Sequence, residues 1–173
     1  MSKNSLEVWL RGPLEGIPPL LQPAAHALLQ AQEELNLLLV DFDETFLWER
    51  PSGLASVAFH LQHLSGVLDR LFTYADGHLL NPEQLADLAK ENEAFIEGMN
   101  AEHLLSRFNK QIEKSMEYLK NVDQDTLTEV RGVGRNQIPS TKLGLLFHAA
   151  EHTMRHLGQL LVTIRVLNPG IKQ

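Results

Sequence analysis

The chain has 173 residues, 43% of them hydrophobic and 21% charged, which suffices for one self-supporting core and is too balanced for a disordered or fibrous protein. A formal net charge of -7, with no run of Lys or Arg, excludes a phosphate-tracking surface, so no nucleic-acid partner is expected. Cysteine is absent, which removes disulfides, thiolate zinc sites and a cysteine nucleophile, leaves imidazole and carboxylate as metal ligands, and means that any thiol chemistry needs an external thiol.

The N-terminal "MSKNSLEVWLRGPLEG" has no apolar stretch of signal-peptide length, and no segment approaches the run of about 18 apolar residues of a membrane span. A cytoplasmic protein without membrane contact is the expectation. Apolar periodicity near 3.6 dominates and alternating strand-like runs are scarce, which predicts an all-α chain folded as one domain over 1–173.

The first long helix is predicted after Pro19 and Pro23, through "AAHALLQAQEELNLLLVDF", with Ala25, Leu28, Leu29, Leu35, Leu38 and Leu39 as its apolar stripe. Pro51, Ser52 and Gly53 then interrupt, and "LASVAFHLQHLSGVLDRLFTYA" forms the second, stopped by Gly77. In "NPEQLADLAKENEAF", Asn81 reads as an N-cap, Pro82 as the first helical residue and Glu83 as a first-turn acid, giving a short connecting helix.

The third long helix, "AEHLLSRFNKQIEKSMEYLKNV", places Leu104, Leu105, Phe108, Ile112, Met116 and Leu119 on one face. "VDQDTLTEVRGVGRNQIPS" reads as a loop with at most a brief extended piece, and Pro139 to Thr141 lead into the fourth long helix. The expected architecture is a four-helix bundle with a longer crossover between its second and third long helices. Trp9 and Trp48 are assigned to packing near helix ends.

The chemistry concentrates in "FHAAEHTMRHLGQL", where His148, His152 and His156 recur every four residues. Residues four apart differ by about 40° around a helix and sit one turn apart, so His152 and His156 can reach one ion. His148 and His156 are separated by about 80° and a rise of about 12 Å, too far for all three to share it easily. Leu145, Ala149, His152, His156 and Leu160 form one stripe, which puts the 152/156 pair at the core edge. His148 falls on its flank, as an outer partner, a pocket wall or a solvated residue.

A further ligand has to come from another helix, and "SVAFHLQHLSGVLDRL" offers His60 and His63. Periodicity alone does not choose between them. A lone histidine on an apolar face is more often a hydrogen-bonded structural residue than a ligand, but polar groups beside apolar stripes on two helices cost desolvation that a shared ion would offset.

Taken together, "SVAFHLQHLSGVLDRL" and "HAAEHTMRHLGQL", with "VWLRGP", "LLQPAAHALLQAQEEL" and "RPSGLASVAFHLQHL", resemble the DinB/YfiT-like superfamily of metal-binding four-helix bundles over nearly the whole chain. The resemblance implies a divalent ion held by three histidines. Ser56 matches the family's serine, the histidine seven positions later is His63, and the H-x-x-x-H pair is His152 and His156. His60 then lies one turn before His63, as a pocket or hydrogen-bonding residue.

Three imidazoles leave coordination positions open, as in catalytic sites. Zinc or nickel is the first expectation, iron or manganese the next. The family's activities imply transfer of a low-molecular-weight thiol to a small electrophile, isomerisation of a thiol adduct, or hydrolysis of a small molecule; an open position would lower the pKa of a thiol or a water. The competing readings are a non-catalytic metal-binding or ligand-binding stress protein, and a dimerisation module whose histidines are structural.

Around this site, Glu151 reads first as a surface partner of Arg155 and second as a base or orienting group. Gln159 is a candidate for a hydrogen bond to another helix or a ligand, and Arg70 for attracting an anionic substrate, with a salt bridge as its alternative. A C2 homodimer is expected, since closed pairs are the commonest oligomers and the family has dimers.

Overall fold

The structure, a computed structural model, describes residues 6–168. It is mostly helical: α1 (Gln22–Leu38), α2 (Val57–Ala75), α3 (Pro82–Lys90), α4 (Ala101–Lys120) and α5 (Lys142–Leu167), with a hairpin of β1 (Val130–Val133) and β2 (Ile138–Thr141) before α5. The closely packed pairs are α2–α5, α2–α4, α1–α5 and α1–α4, so the long helices follow the circular order α1, α5, α2, α4. The chain therefore crosses a diagonal twice, from α1 to α2 and from α4 to α5, whereas the α3 crossover expected between the second and third long helices joins helices that are neighbours.

The helix starts follow capping chemistry. Ser56 accepts from Phe59 N at the head of α2, Asn100 from His103 N at α4 and Thr141 from Gly144 N at α5. Asn81 and Gln84 form a reciprocal capping box around Pro82 at α3. Helix α1 stops at Leu38, short of the expected Phe42, because the chain turns at Asp41, whose φ of 55° suits a short polar residue better than a helix.

The core runs continuously through the long helices. The stripes Ala25, Leu28 and Leu35 of α1 and Leu104, Phe108, Ile112 and Leu119 of α4 are buried, while Leu29, Leu38, Leu39, Leu105 and Met116 pack at its margin. Each fully buried leucine or phenylalanine contributes roughly 1.5–3 kcal/mol relative to exposure. Helix α2 is enclosed by α4 and α5 and also touches α3, so it buries residues around most of its circumference, His60 and Arg70 among them.

Two expectations need correction. The segment before α5 is a paired antiparallel hairpin, in register Val130↔Thr141 to Val133↔Ile138, with Gly134 at φ 67° in the turn. Its four-residue strands are too short for a clear alternation signal, yet the hairpin delivers the capping Thr141 and so fixes where α5 begins. Trp9 is exposed and donates to Glu7 Oε2, whereas Trp48 packs edge-on against Phe95. Among the described residues, no helix is long and apolar enough to cross a membrane.

Candidate metal centre

The seam between α2 and α5 brings four histidines together. His60 and His63 stand one turn apart on α2, and His152 and His156 one turn apart on α5. Ser56 sets the start of α2 and Thr141 that of α5, so the caps at each helix head fix the phase in which the imidazoles meet.

One ligand nitrogen each from His63, His152 and His156 falls within 4.8 Å of the others. His63 Nε2 is 2.9 Å from His152 Nε2, and the His156 ring centroid lies 4.4 Å from that of His63 and 4.5 Å from that of His152. Phe59 stacks on the His63 ring at an interplanar angle of 8°, limiting its rotation.

What lies on the far side of each ring decides which nitrogen is free. His63 Nδ1 is 2.8 Å from Glu91 Oε2; an ionised carboxylate only accepts, so Nδ1 carries the proton and Nε2 keeps its lone pair. His156 Nδ1 is 3.2 Å from His60 Nδ1, which leaves His156 Nε2 to face the cluster. His152 Nδ1 is buried and has no hydrogen-bond partner among the described residues. With the lone pair of His63 Nε2 facing it, His152 Nε2 either donates to His63 or joins His63 and His156 on a shared ion. The donor set therefore fits a divalent ion.

Burial and like charges disfavour the charged form of His60, His152 and His156. Burial first, and then the neighbouring His63, push His60, His152 and His156 down to about 4 from an ordinary value of 6.5. The Arg155 guanidinium acts in the same direction on both His152 and His156. Neutral imidazole is the form that binds a metal.

Glu91 escaped sequence reading. It caps the C-terminal end of α3, is only 4% exposed, and accepts from Arg70 Nη1 at 2.5 Å while bonding His63 with its other oxygen. Burial alone would raise its pKa, but the hydrogen bonds from His63 and Arg70 and their charges outweigh this and hold the carboxyl low. The only signal was indirect: an arginine beside Val67 and Leu71 on an apolar helix requires a counter-charge, though not which of several acids in "KENEAFIE" supplies it.

The remaining candidates sit outside this cluster. Arg70, a candidate for drawing anions to the mouth, is 8% exposed and taken up by Glu91, which is its salt-bridge alternative. Gln159 is exposed one turn after His156 on α5. His148 is exposed, 3.3 Å from Glu151 Oε2, and Glu151 also pairs with Arg155. His148, Glu151 and His152 form a second, shallower ligand grouping that shares His152.

A largely helical chain with a histidine cluster between its second and last long helices defines a class, and the sequence places it: residues 27–160 match the DinB superfamily, and the chain belongs to that family. Solved structures show the same fold. A conserved protein from Enterococcus faecalis aligns with TM-score 0.66 at 19% identity over 84% of this chain and 95% of its own. A DinB-like protein from Bacillus cereus aligns with TM-score 0.60 at 16% identity over 88% and 95%. A Streptococcus pneumoniae protein gives 0.60 at 13% identity over 86% and 90%. No curated protein matches the chain.

Proposed function

We propose that this chain is a metal-dependent enzyme in which His63, His152 and His156 hold one divalent ion, zinc or nickel before iron or manganese. The reading assigns it transfer of a low-molecular-weight external thiol to a small electrophile, or hydrolysis of a small molecule. The observation that carries it is the convergence of one imidazole nitrogen each from His63, His152 and His156 within 4.8 Å, with Glu91 bonded to His63 Nδ1 on the far side of its ring.

When bound, the ion supplies Lewis acidity that lowers the pKa of a thiol or water at an open position. The chain's own residues do the rest. Glu91 takes the His63 Nδ1 proton as a hydrogen bond and so turns Nε2 inward, and His60 does the same for His156. Burial keeps His60, His152 and His156 free of competing protons.

In this reading the whole chain works as one DinB-like domain, a four-helix bundle in the cytoplasm that pairs as a homodimer. Exposed Phe147, Val162 and Val166 along α5 offer apolar surface for such pairing. Light scattering that finds only monomer at high concentration removes the dimer.

One observation favours a second reading, a metal-binding protein without turnover. The carboxylate nearest the histidines, Glu91, is committed to Arg70 and His63, and Glu151 is committed to Arg155 and His148, so no free acid or base stands beside the cluster among the described residues. Elemental analysis of untagged protein separates both readings from a structural role for the histidines: about one ion per chain, lost in His152→Ala, is expected. A panel of thiol-transfer and hydrolysis substrates then distinguishes enzyme from binder, since only the enzyme shows a rate that depends on the ion.

A further inference from the structure

Helix α3 is attached to the molecule in an unusual way. None of its nine residues is buried, and Leu85 and Leu88 remain exposed although they face no solvent requirement. Phe95, in the same link, is also largely exposed. Two cavities open around this attachment: one of about 330 Å³ lined by Gly66, Arg70, Asp87 and Arg107, and one of about 160 Å³ lined by Gly66, Glu91, Ile96 and Arg107. Helix α3 thus lies against α2 without burying any of its own residues, and polar contacts pin it there.

Those contacts are few. Gln84 bonds Asp69 and Thr73, Asp87 pairs with Arg107 at the surface, and Glu91, at the end of α3, is the one deeply buried anchor. Its two oxygens are divided between Arg70 and His63. Gly66 makes this possible: a methyl group there would collide with Glu91 Oε1 and stand 2.5 Å from Arg70 Nη1. A mid-helix glycine that disfavours α2 is retained where the carboxylate and guanidinium cross the helix surface.

We propose that Glu91 is a positioning residue for the metal ligand His63, and that its docking through Gly66 and Arg70 makes closure of the α3 crossover and metal occupancy one linked equilibrium. The proposal rests on the three-histidine reading above. A carboxylate bonded to a ligating imidazole fixes its tautomer and raises its basicity, so His63 with Glu91 in place binds an ion more tightly than His63 without it. Linkage is reciprocal: whatever factor Glu91 docking adds to metal affinity, the metal adds to Glu91 docking. Since Glu91 is the one buried residue of the crossover among the described residues, the metal-free protein opens this segment more often and the loaded protein holds it shut.

The test uses the full chain with zinc alone as the probe. Zinc affinity is measured by competition with a chromophoric chelator, and amide hydrogen exchange is followed across 82–98 with and without zinc. The wild type is expected to bind about one zinc and to slow exchange in this segment on binding. Glu91→Gln, which keeps the side chain's shape but turns an amide toward Arg70, is expected to weaken zinc by about 10–100-fold and to abolish the zinc-dependent slowing. Gly66→Ala adds a better helix former and leaves every histidine untouched, so a fall in zinc affinity there cannot come from weakened helix or lost ligand.

A purely structural Glu91 would change exchange equally in both states and leave the zinc-dependent difference intact. Wild-type affinity in both variants, or an undiminished difference, overturns the linkage while the metal site stands. A wild type that binds no zinc, and no nickel, iron or manganese, overturns the metal reading and the linkage with it.

Discussion

The seam between α2 and α5 and the α3 crossover are built on opposite principles. The seam places its polar groups, His60, His63, His152 and His156, among fully buried Leu61, Leu64, Ala149 and Leu160. Its geometry is held by packing, which is stiff and specific. Helix α3 of the crossover buries none of its own residues and is held largely by side-chain hydrogen bonds, each of which stabilises by only about 0.5–1.5 kcal/mol net. The two meet at Glu91, where a weakly held element supplies the partner of a strongly held ligand. Precision at the histidines comes from the core, and adjustability from the crossover.

The contrast is broken most directly through the core. Phe108 is fully buried where α4 meets its neighbours, and Phe108→Ala is expected to cost about 3–5 kcal/mol by urea denaturation. A cost under about 1 kcal/mol would mean that the long helices are no better packed than the crossover.

The next effect separates the ligands from the histidines around them. His63→Ala, His152→Ala and His156→Ala are each expected to reduce retained metal to well below one ion per chain, whereas His148→Ala keeps it, because His148 is exposed and turned to Glu151. Equal losses in all four, measured by elemental analysis, would move the centre outward onto the shallower grouping of His148, Glu151 and His152.

Protonation gives a smaller and continuous perturbation. His60, His152 and His156 titrate near 4 in the folded chain and near 6.5 when unfolded, so the unfolded state binds more protons between these values. Their contribution to the stability of metal-free protein is fully present above about 6.5 and is lost as the pH falls toward about 4. Glu91, with its carboxyl lowered, loses its contribution further down the acid range. Thermal melting of chelator-treated protein should therefore fall on acidification below about 6.5 and stay flat just above it; a melting temperature that rises on acidification would show the histidines to be charged in the fold.

The same contrast explains what could be read from the chain. The long helices were legible because their apolar residues repeat with the helical period, and the short α3 because Asn81 and Pro82 stand at its start. His152 and His156 were legible as a pair because one helix carries both. The choice of His63 over His60 came from family resemblance, since both histidines of α2 reach α5, one to His152 and the other to His156. Glu91 was not legible: its burial comes from Arg70, twenty-one residues earlier, and no local period marks it. The hairpin stayed hidden because its pairing depends on contacts across a turn and its strands are four residues each.

The smallest effect is the most demanding test of how the crossover is held. Leu88 is 38% exposed on α3, close to Glu91 in sequence yet outside the core. If the crossover is pinned by polar contacts alone, Leu88→Ala removes little buried surface and leaves a better helix former, so stability should change by less than about 0.5 kcal/mol. A loss above about 1.5 kcal/mol would mean that Leu88 packs when the segment closes, as a buried leucine does. Glu91 would then share its anchoring role with an apolar contact, and metal occupancy would hold the crossover only in part.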